Sequence, residues 1–313
     1  MEDLICMDLR EVIITQEDII KNWLKSLDVK DESTKLTYKS GIYRFGEYLK
    51  DNEVTSPTSD TVIAYKKYLM EKYSNSSVCL FLSIVKSFYS YLEEKGLYKD
   101  IAKKVKSPKV AKGFKKDIFT LEQIELILGN IDTSTLLGAR DYALINLLLR
   151  CGLRTCEVYN ADIGDIRNKD GEKVLYIQGK GRTEKDEFVV LTPTMLKIID
   201  DYLKLRGSYT DNSPLFISVS DRNWGNRLSC MSIRWVVKER LRDVGIDSKR
   251  LTTHSWRHTA ITLSLYGGAE LTEVKDFARH EDINTTLLYV HNMGRMENAP
   301  EKKIEQVLNK KAS

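Results

Sequence analysis

Long apolar runs, paired cysteines and histidines are what this chain has least of. No stretch approaches the ~18–20 consecutive apolar residues of a membrane-spanning helix. The acidic start, Met1-Glu2-Asp3, does not read as a secretory signal. Five cysteines (Cys6, Cys79, Cys151, Cys156, Cys230) are an odd number with no C-x-x-C pair. They point to reduced thiols in a cytosolic protein and indicate neither a disulfide framework nor a zinc site. Net charge is only +4, which permits nucleic-acid binding without establishing it, because a phosphate backbone responds to local clusters of Lys and Arg. What is present in quantity, 42% hydrophobic and 30% charged residues over 313 positions, fits a soluble globular protein large enough for two cores.

All four histidines fall between Leu251 and His291: His254, His258, His280 and His291. Arg257 lies in a His-Ser-Trp-Arg unit among them, and Tyr289 follows His280 by nine residues. Imidazoles that titrate near neutral pH, beside a guanidinium fork and a phenol, suggest phosphate chemistry. On an unbroken helix nine residues turn about 900°, placing His280 and Tyr289 on opposite faces. The polar break Glu281–Asn284 lets the two side chains converge instead.

Taken in order, the chain opens with an arm (1–14) that carries no strong periodicity. A capping box, Thr15-x-x-Asp18, then precedes Ile19, Ile20, Trp23, Leu24 and Leu27 at helical spacing. Further helices are expected from Ser33 to Lys50, from Pro57-Thr58, and from Asn75 to Gly96. Residues 15–105 thus read as an all-helical domain whose aromatic stripes are core. Between Ile101 and Asp117 come seven lysines, Lys103, Lys104, Lys106, Lys109, Lys112, Lys115 and Lys116, with Pro108 and Gly113. The part from 106 to 117 reads as an inter-domain linker whose lysines suit non-specific phosphate contact.

A second domain, 118–313, begins with the capping box Thr120-x-x-Gln123. It continues through an apolar helix, Tyr142–Leu149, that stops at Cys151-Gly152. Arg154 then stands at a helix start with Glu157 one turn later. From Lys173 the period becomes two: Val174, Tyr176 and Phe188, Val190 alternate across a β-hairpin joined by Gly179-Lys180-Gly181-Arg182-Thr183. Pro193 is an N1 proline. Leu215–Ile217 reads as a short strand and Ser229–Val244 as a helix. Thr252 and Thr253 are candidate caps for a helix opened by His254 that ends at Gly267-Gly268. A helix over Leu271–Arg279 and a cap at Asn284 for the Tyr289 helix complete the pattern, before a charged tail (about 294–313).

A tyrosine attacking a phosphodiester must lose its proton. It also needs cations to neutralise the shifting charge on the non-bridging oxygens, and an acid to protonate the leaving alkoxide. Arg154, Lys180, His254, Arg257, His280 and Tyr289 offer one residue for each part. Singly they have plainer readings: Arg154 as a surface partner of Glu157, Lys180 as an exposed hairpin lysine, His254 and Arg257 as a helix-face pair. Tyr289 is one of sixteen tyrosines.

Their order, Gly152-Leu153-Arg154-x-x-Glu157, Gly179-Lys180-Gly181, His254-x-x-Arg257-His258-Thr259, His280 and Tyr289-Val290-His291, resembles the tyrosine recombinases, also called the phage-integrase family. The motifs cover Phe119 to about His291, and the helical region corresponds by position to that family's core DNA-binding domain. The resemblance implies a mainly α fold with a small antiparallel β-sheet: an N-terminal SAM-like helical bundle and an α+β catalytic domain. It implies Tyr289 as the nucleophile of a 3′-phosphotyrosyl intermediate and Arg154 with Arg257 as the phosphate clamp. Lys180 would be the acid for the 5′-oxygen, with Arg182 and Lys185 as rivals. His254 would be a general acid/base, and His280 a phosphate or tyrosine partner. Structural roles are implied for His258 and His291, and an orienting role for Glu157. It further implies reaction without metal, cofactor or ATP, and a cytoplasmic, nucleoid-associated site of action. The partner would be duplex DNA with inverted-repeat core sites, gripped in part by the lysine-rich segment and Arg182. A tetrameric synapse would be coupled through the tail, with a related recombinase or accessory protein as a further partner.

Other readings of the same chemistry are a type IB topoisomerase and a catalytically silent DNA-binding regulator. A helical pattern starting by about residue 15 leaves no room ahead of it for an arm-binding domain, which favours the two-domain Xer-like, Cre-like or small mobile-element type. The pattern departs from the family at Ala278-Arg279, where Leu-Gly is usual, and at Cys156, where serine is common.

Overall fold

The computed structural model describes residues 17–27, 32–110, 117–179, 182 and 184–297, together with Glu301 and Ile304; side chains are described as far as Val290. The chain divides into two compact units, Met1–Lys112 and Gly113–Ser313. The 1–14 arm, the Thr15 cap and nearly all of the tail lie outside the described residues.

The first unit contains α1 (Glu17–Ser26), α2 (Glu32–Asp51), α3 (Ser59–Lys72) and α4 (Asn75–Glu94). Its aromatic stripes turn inward, leaving Trp23, Phe45, Tyr65, Phe88 and Tyr89 fully buried. Edge contacts knit these rings together, such as Trp23 on Phe88 (centroids 5.1 Å) and Phe45 on Tyr65 (4.9 Å). Gly96, at φ +67°, supplies the left-handed residue that ends α4.

The chain that follows α4 is held to this unit as far as Lys109. Asp100 accepts from the amides of Ala102 and Lys103, and Ile101, Ala102 and Val105 enter the core. Lys66 Nζ and Asn75 Nδ2 donate to the carbonyls of Lys106 and Lys109 (2.8 Å each). Lys103, Lys104, Lys106 and Lys109 are left exposed on an anchored ribbon, while Lys112, Lys115 and Lys116 lie outside the described residues.

In the second unit, α5 (Leu121–Gly129) opens with the reciprocal Thr120–Gln123 bonds that its sequence signals. The central α6 spans Leu136–Arg150, one turn and more longer than its apolar run, because Thr135 caps it. It packs against α8 (Pro193–Arg206) and α10 (Thr253–Tyr266). The short α7 (Thr155–Asn160) leads through a 3-10 turn to a three-stranded antiparallel sheet, β1 (Ile166–Lys169), β2 (Glu172–Ile177) and β3 (Glu187–Val190). Helices α9 (Cys230–Arg242), α11 (Leu271–Phe277) and α12 (Ile283–Glu297) complete the described residues.

Four expectations change in detail. A third strand, β1, pairs with β2; its Ile-Arg-Asn-Lys sequence has no alternating apolar pattern. Val174, Tyr176, Phe188 and Val190 do share one face, but the face that closes the core carries Leu175, Ile177 and Val189. On the other face Arg167 and Lys169 lie over the rings of Tyr176 and Phe188. Leu215–Ile217 forms no strand: isolated bridges at Pro214 and Ile217 pair it with Asp162 and Arg227. Asp282, not Asn284, caps α12, its carboxylate accepting from the Asn284 amide (2.9 Å).

Candidate active site

The site is assembled at the meeting of α7, α10, α11 and α12. Helix α10 sets its phase through Trp256, fully buried and stacked on Phe119 (centroids 4.0 Å), while the Thr259 hydroxyl accepts from the Phe119 amide (2.9 Å). That anchoring leaves His254 exposed and places His258 one turn along the same face, ring edge to ring at 4.6 Å. Arg257 points inward and is 2% exposed.

Glu157 is the hub, 0% exposed. It accepts from Arg154 Nη1 (2.7 Å), from the Arg154 amide (2.7 Å) and from Arg279 Nη2 (2.9 Å); Arg257 Nη1 stands 4.0 Å away. Burial works against its charge, but Arg279, the Arg154 amide, Arg257 and Arg154 together hold its carboxyl below the usual range. Backbone carbonyls complete the ring. Gly152 accepts from Arg257 Nη1 (2.6 Å), Ala278 accepts from Arg257 Nη2, and Arg279 accepts from Arg154 Nη2 (3.1 Å). Burial and the charges of Arg154 and Arg279 push the Arg257 guanidinium down to about 9, so it stays charged at neutral pH.

Tyr289 projects from α12 into a small apolar cluster with Ile261, Val274 and Ala278 and is 4% exposed. Its hydroxyl shares a hydrogen bond with His258 Nδ1. His280 lies parallel to its ring (6.1 Å, 24°) and is itself held through Nδ1 by Thr286 Oγ1 (2.9 Å). Burial pushes the phenol up to about 12, against the pull of Arg257 and Arg154. The same burial, with neighbouring positive groups, lowers His258 and His280 to about 4, so both are neutral at pH 7. An open pocket of about 540 Å³ adjoins His254, lined also by Thr155, Arg234, Lys238, Thr252 and Thr253.

Of the six residues singled out in the sequence, Arg154, Arg257, His280 and Tyr289 converge, with His254 linked to them through His258. Lys180 lies outside the described residues. Its two rivals are engaged elsewhere: Lys185 Nζ bonds Asp162 (2.8 Å) and Asp165 (2.5 Å), and the exposed Arg182 pairs with Asp186 and with Glu187 (3.1 Å). The sequence reading set His258 aside as structural, yet it is the histidine that touches the tyrosine hydroxyl. The signal was available in the four-residue spacing from His254. The departure at Arg279 has a plain outcome: its side chain turns inward to Glu157.

Comparison with known proteins gives the family. Residues 117–295 match the phage integrase family and residues 20–96 match the phage integrase N-terminal SAM-like domain. The chain belongs to the phage integrase family and is a site-specific DNA recombinase of the tyrosine type. It is 28% identical over 288 residues to the tyrosine recombinase XerD of Listeria monocytogenes, spanning 88% of this chain and 94% of the relative. In fold it is similar to the XerH recombinase solved on a palindromic difH substrate after cleavage (TM-score 0.74, 17% identity, 96% of this chain and 98% of that one). A lambda integrase tetramer bound to a Holliday junction is also similar (TM-score 0.65, 13% identity, 88% and 76%).

Proposed function

We propose that Tyr289 is the nucleophile that cleaves and rejoins duplex DNA at inverted-repeat core sites. The observation that carries this reading is a tyrosine hydroxyl hydrogen-bonded to a neutral imidazole, beside two arginines gathered on one buried carboxylate. His258 takes the phenolic proton as Tyr289 Oη forms its bond to phosphorus. The P–O5′ bond breaks and the leaving oxygen receives a proton from Lys180. Arg154 and Arg257 present their guanidiniums to the non-bridging oxygens and neutralise the charge that shifts there. His254, exposed at the pocket and in ring contact with His258, serves as a general acid/base, and His280 holds the tyrosine ring. The energy of the broken phosphodiester is kept in the phosphotyrosine, so rejoining by an incoming 5′-hydroxyl reverses the steps.

Residues 15–105 form the core-binding domain, 106–117 the linker and 118–313 the catalytic domain. Lys103, Lys104, Lys106, Lys109, Lys112, Lys115, Lys116 and Arg182 contact the DNA backbone. The working form is a tetrameric synapse on chromosomal DNA in the cytoplasm, coupled through the C-terminal tail. The XerH complex on a palindromic substrate and the lambda integrase tetramer are the similar proteins that support this part of the reading. A nicked suicide substrate tests the chemistry. Wild type accumulates a covalent protein–DNA complex and Tyr289→Phe forms none; a complex that survives the substitution refutes the assignment.

A further inference from the structure

Arg279 occupies a position the reaction does not obviously need, at some cost to the backbone. Its φ is +50°, in the left-handed region that favours glycine. Yet the side chain is only 6% exposed, and its guanidinium is directed wholly inward. Nη1 donates to the Phe277 carbonyl (2.7 Å), and Nη2 donates to the Gly152 carbonyl (3.0 Å) and to Glu157 (2.9 Å). Nε faces the carboxylate of Glu187, the first residue of β3, at 3.9 Å. With these bonds made, Arg279 is turned away from any phosphate that Arg154 receives.

We infer that Arg279 is a positioning residue for the phosphate clamp, fixing Arg154 and Arg257 in the geometry that meets the scissile group. Two routes lead from it to Arg154. Through its side chain it fills one side of Glu157, whose other oxygen binds Arg154 Nη1 (2.7 Å). Through its main chain its carbonyl accepts from Arg154 Nη2 (3.1 Å). A third route leads to Arg257, since the Gly152 carbonyl accepts from both Arg279 and Arg257 Nη1 (2.6 Å). A carboxylate shared by three guanidiniums has little rotational freedom left, and a clamp held before DNA arrives costs no reorganisation during reaction. The hold extends to the strand after the Lys180 loop, because Glu187 stands between Arg279 and Arg182 (3.1 Å).

This inference rests on the recombinase reading, and its test separates the two. Arg279→Gly suits the measurement because glycine accepts φ +50° without strain, so the variant loses the guanidinium and keeps the turn. Single-turnover cleavage of the nicked substrate is compared for wild type, Arg279→Gly, Arg154→Lys and the double variant. Arg279→Gly should cleave roughly ten- to a hundredfold more slowly, with an unchanged dissociation constant for site DNA. In the Arg154→Lys background the same change should cost several-fold less than in wild type, because one of the two guanidiniums it orients has gone. Arg279→Lys, which keeps a cation opposite Glu157, should recover part of the rate and carries the cycle should the glycine variant fail to fold. An equal factor in both backgrounds, or a wild-type rate in Arg279→Gly and Arg279→Lys, overturns the inference while leaving the recombinase reading intact. Absence of covalent complex from wild type overturns both.

Discussion

His258 and His280 each take up a proton less readily in the folded protein than in the unfolded chain, their values falling from 6.5 to about 4. The unfolded state therefore binds more protons between those limits, and stability is lost as pH falls through that window. For the buried His258 the loss amounts to roughly 3 kcal/mol at most. Lowered carboxylates such as Glu157 lose their contribution from about 4.5 downward, and Asp141 is raised by burial. The His258 contribution is therefore read as the difference between wild type and His258→Gln in denaturant unfolding at neutral pH and near pH 5. His258→Gln should show a shallower loss than wild type between the two, and should slow covalent-complex formation by roughly a hundredfold. A second residue-scale prediction concerns the leaving group. Lys180→Ala should slow cleavage of ordinary DNA far more than cleavage of DNA carrying a 5′-sulfur leaving group, measured side by side; equal slowing would return the acid role to Lys185 or Arg182. At this scale residue types were legible and directions were not. Arg154, Arg257 and Tyr289 were candidates through their order and the family resemblance, but that the Arg279 side chain turns to a carboxylate depended on Glu157, 122 positions earlier.

Elements position these groups through a few close approaches. Gly152, at φ +57°, lets the end of α6 turn toward Arg154 directly against the Phe277 ring. A Cβ there would lie 2.9–3.0 Å from Phe277 carbons at the end of α11. Gly152→Ala combines backbone strain with that clash and should destabilise the second unit by ~2 kcal/mol in denaturant titrations. It should also slow cleavage, because the Gly152 carbonyl is what Arg257 and Arg279 share. Helices and several of their caps were the legible part of the fold, the Asn284 cap excepted. Thr120 with Gln123, Pro193 and the turn before His254 carry local chemistry that needs no distant partner. Strand β1 and the inward face of β2 were not legible, since which side of a pleat meets the core is decided by helices elsewhere in the chain.

At the scale of the whole molecule, length and composition pointed to two domains, and the lysine-rich segment 106–117 read as a linker. The structure adds that this segment is tied to the first unit as far as Lys109 by side chains of α3 and α4. Carbonyl anchoring of this kind has no sequence signature, because it engages the backbone of the lysines and leaves their ammonium groups out. The central claim is narrower than any of this: one tyrosine of sixteen becomes joined to DNA. Trapped covalent complex, digested with nuclease and trypsin and read by mass spectrometry, locates that bond. The account predicts a nucleotide-bearing phosphotyrosine at Tyr289 and no other; an adduct on a different tyrosine, or an unmodified Tyr289 in trapped complex, would contradict it.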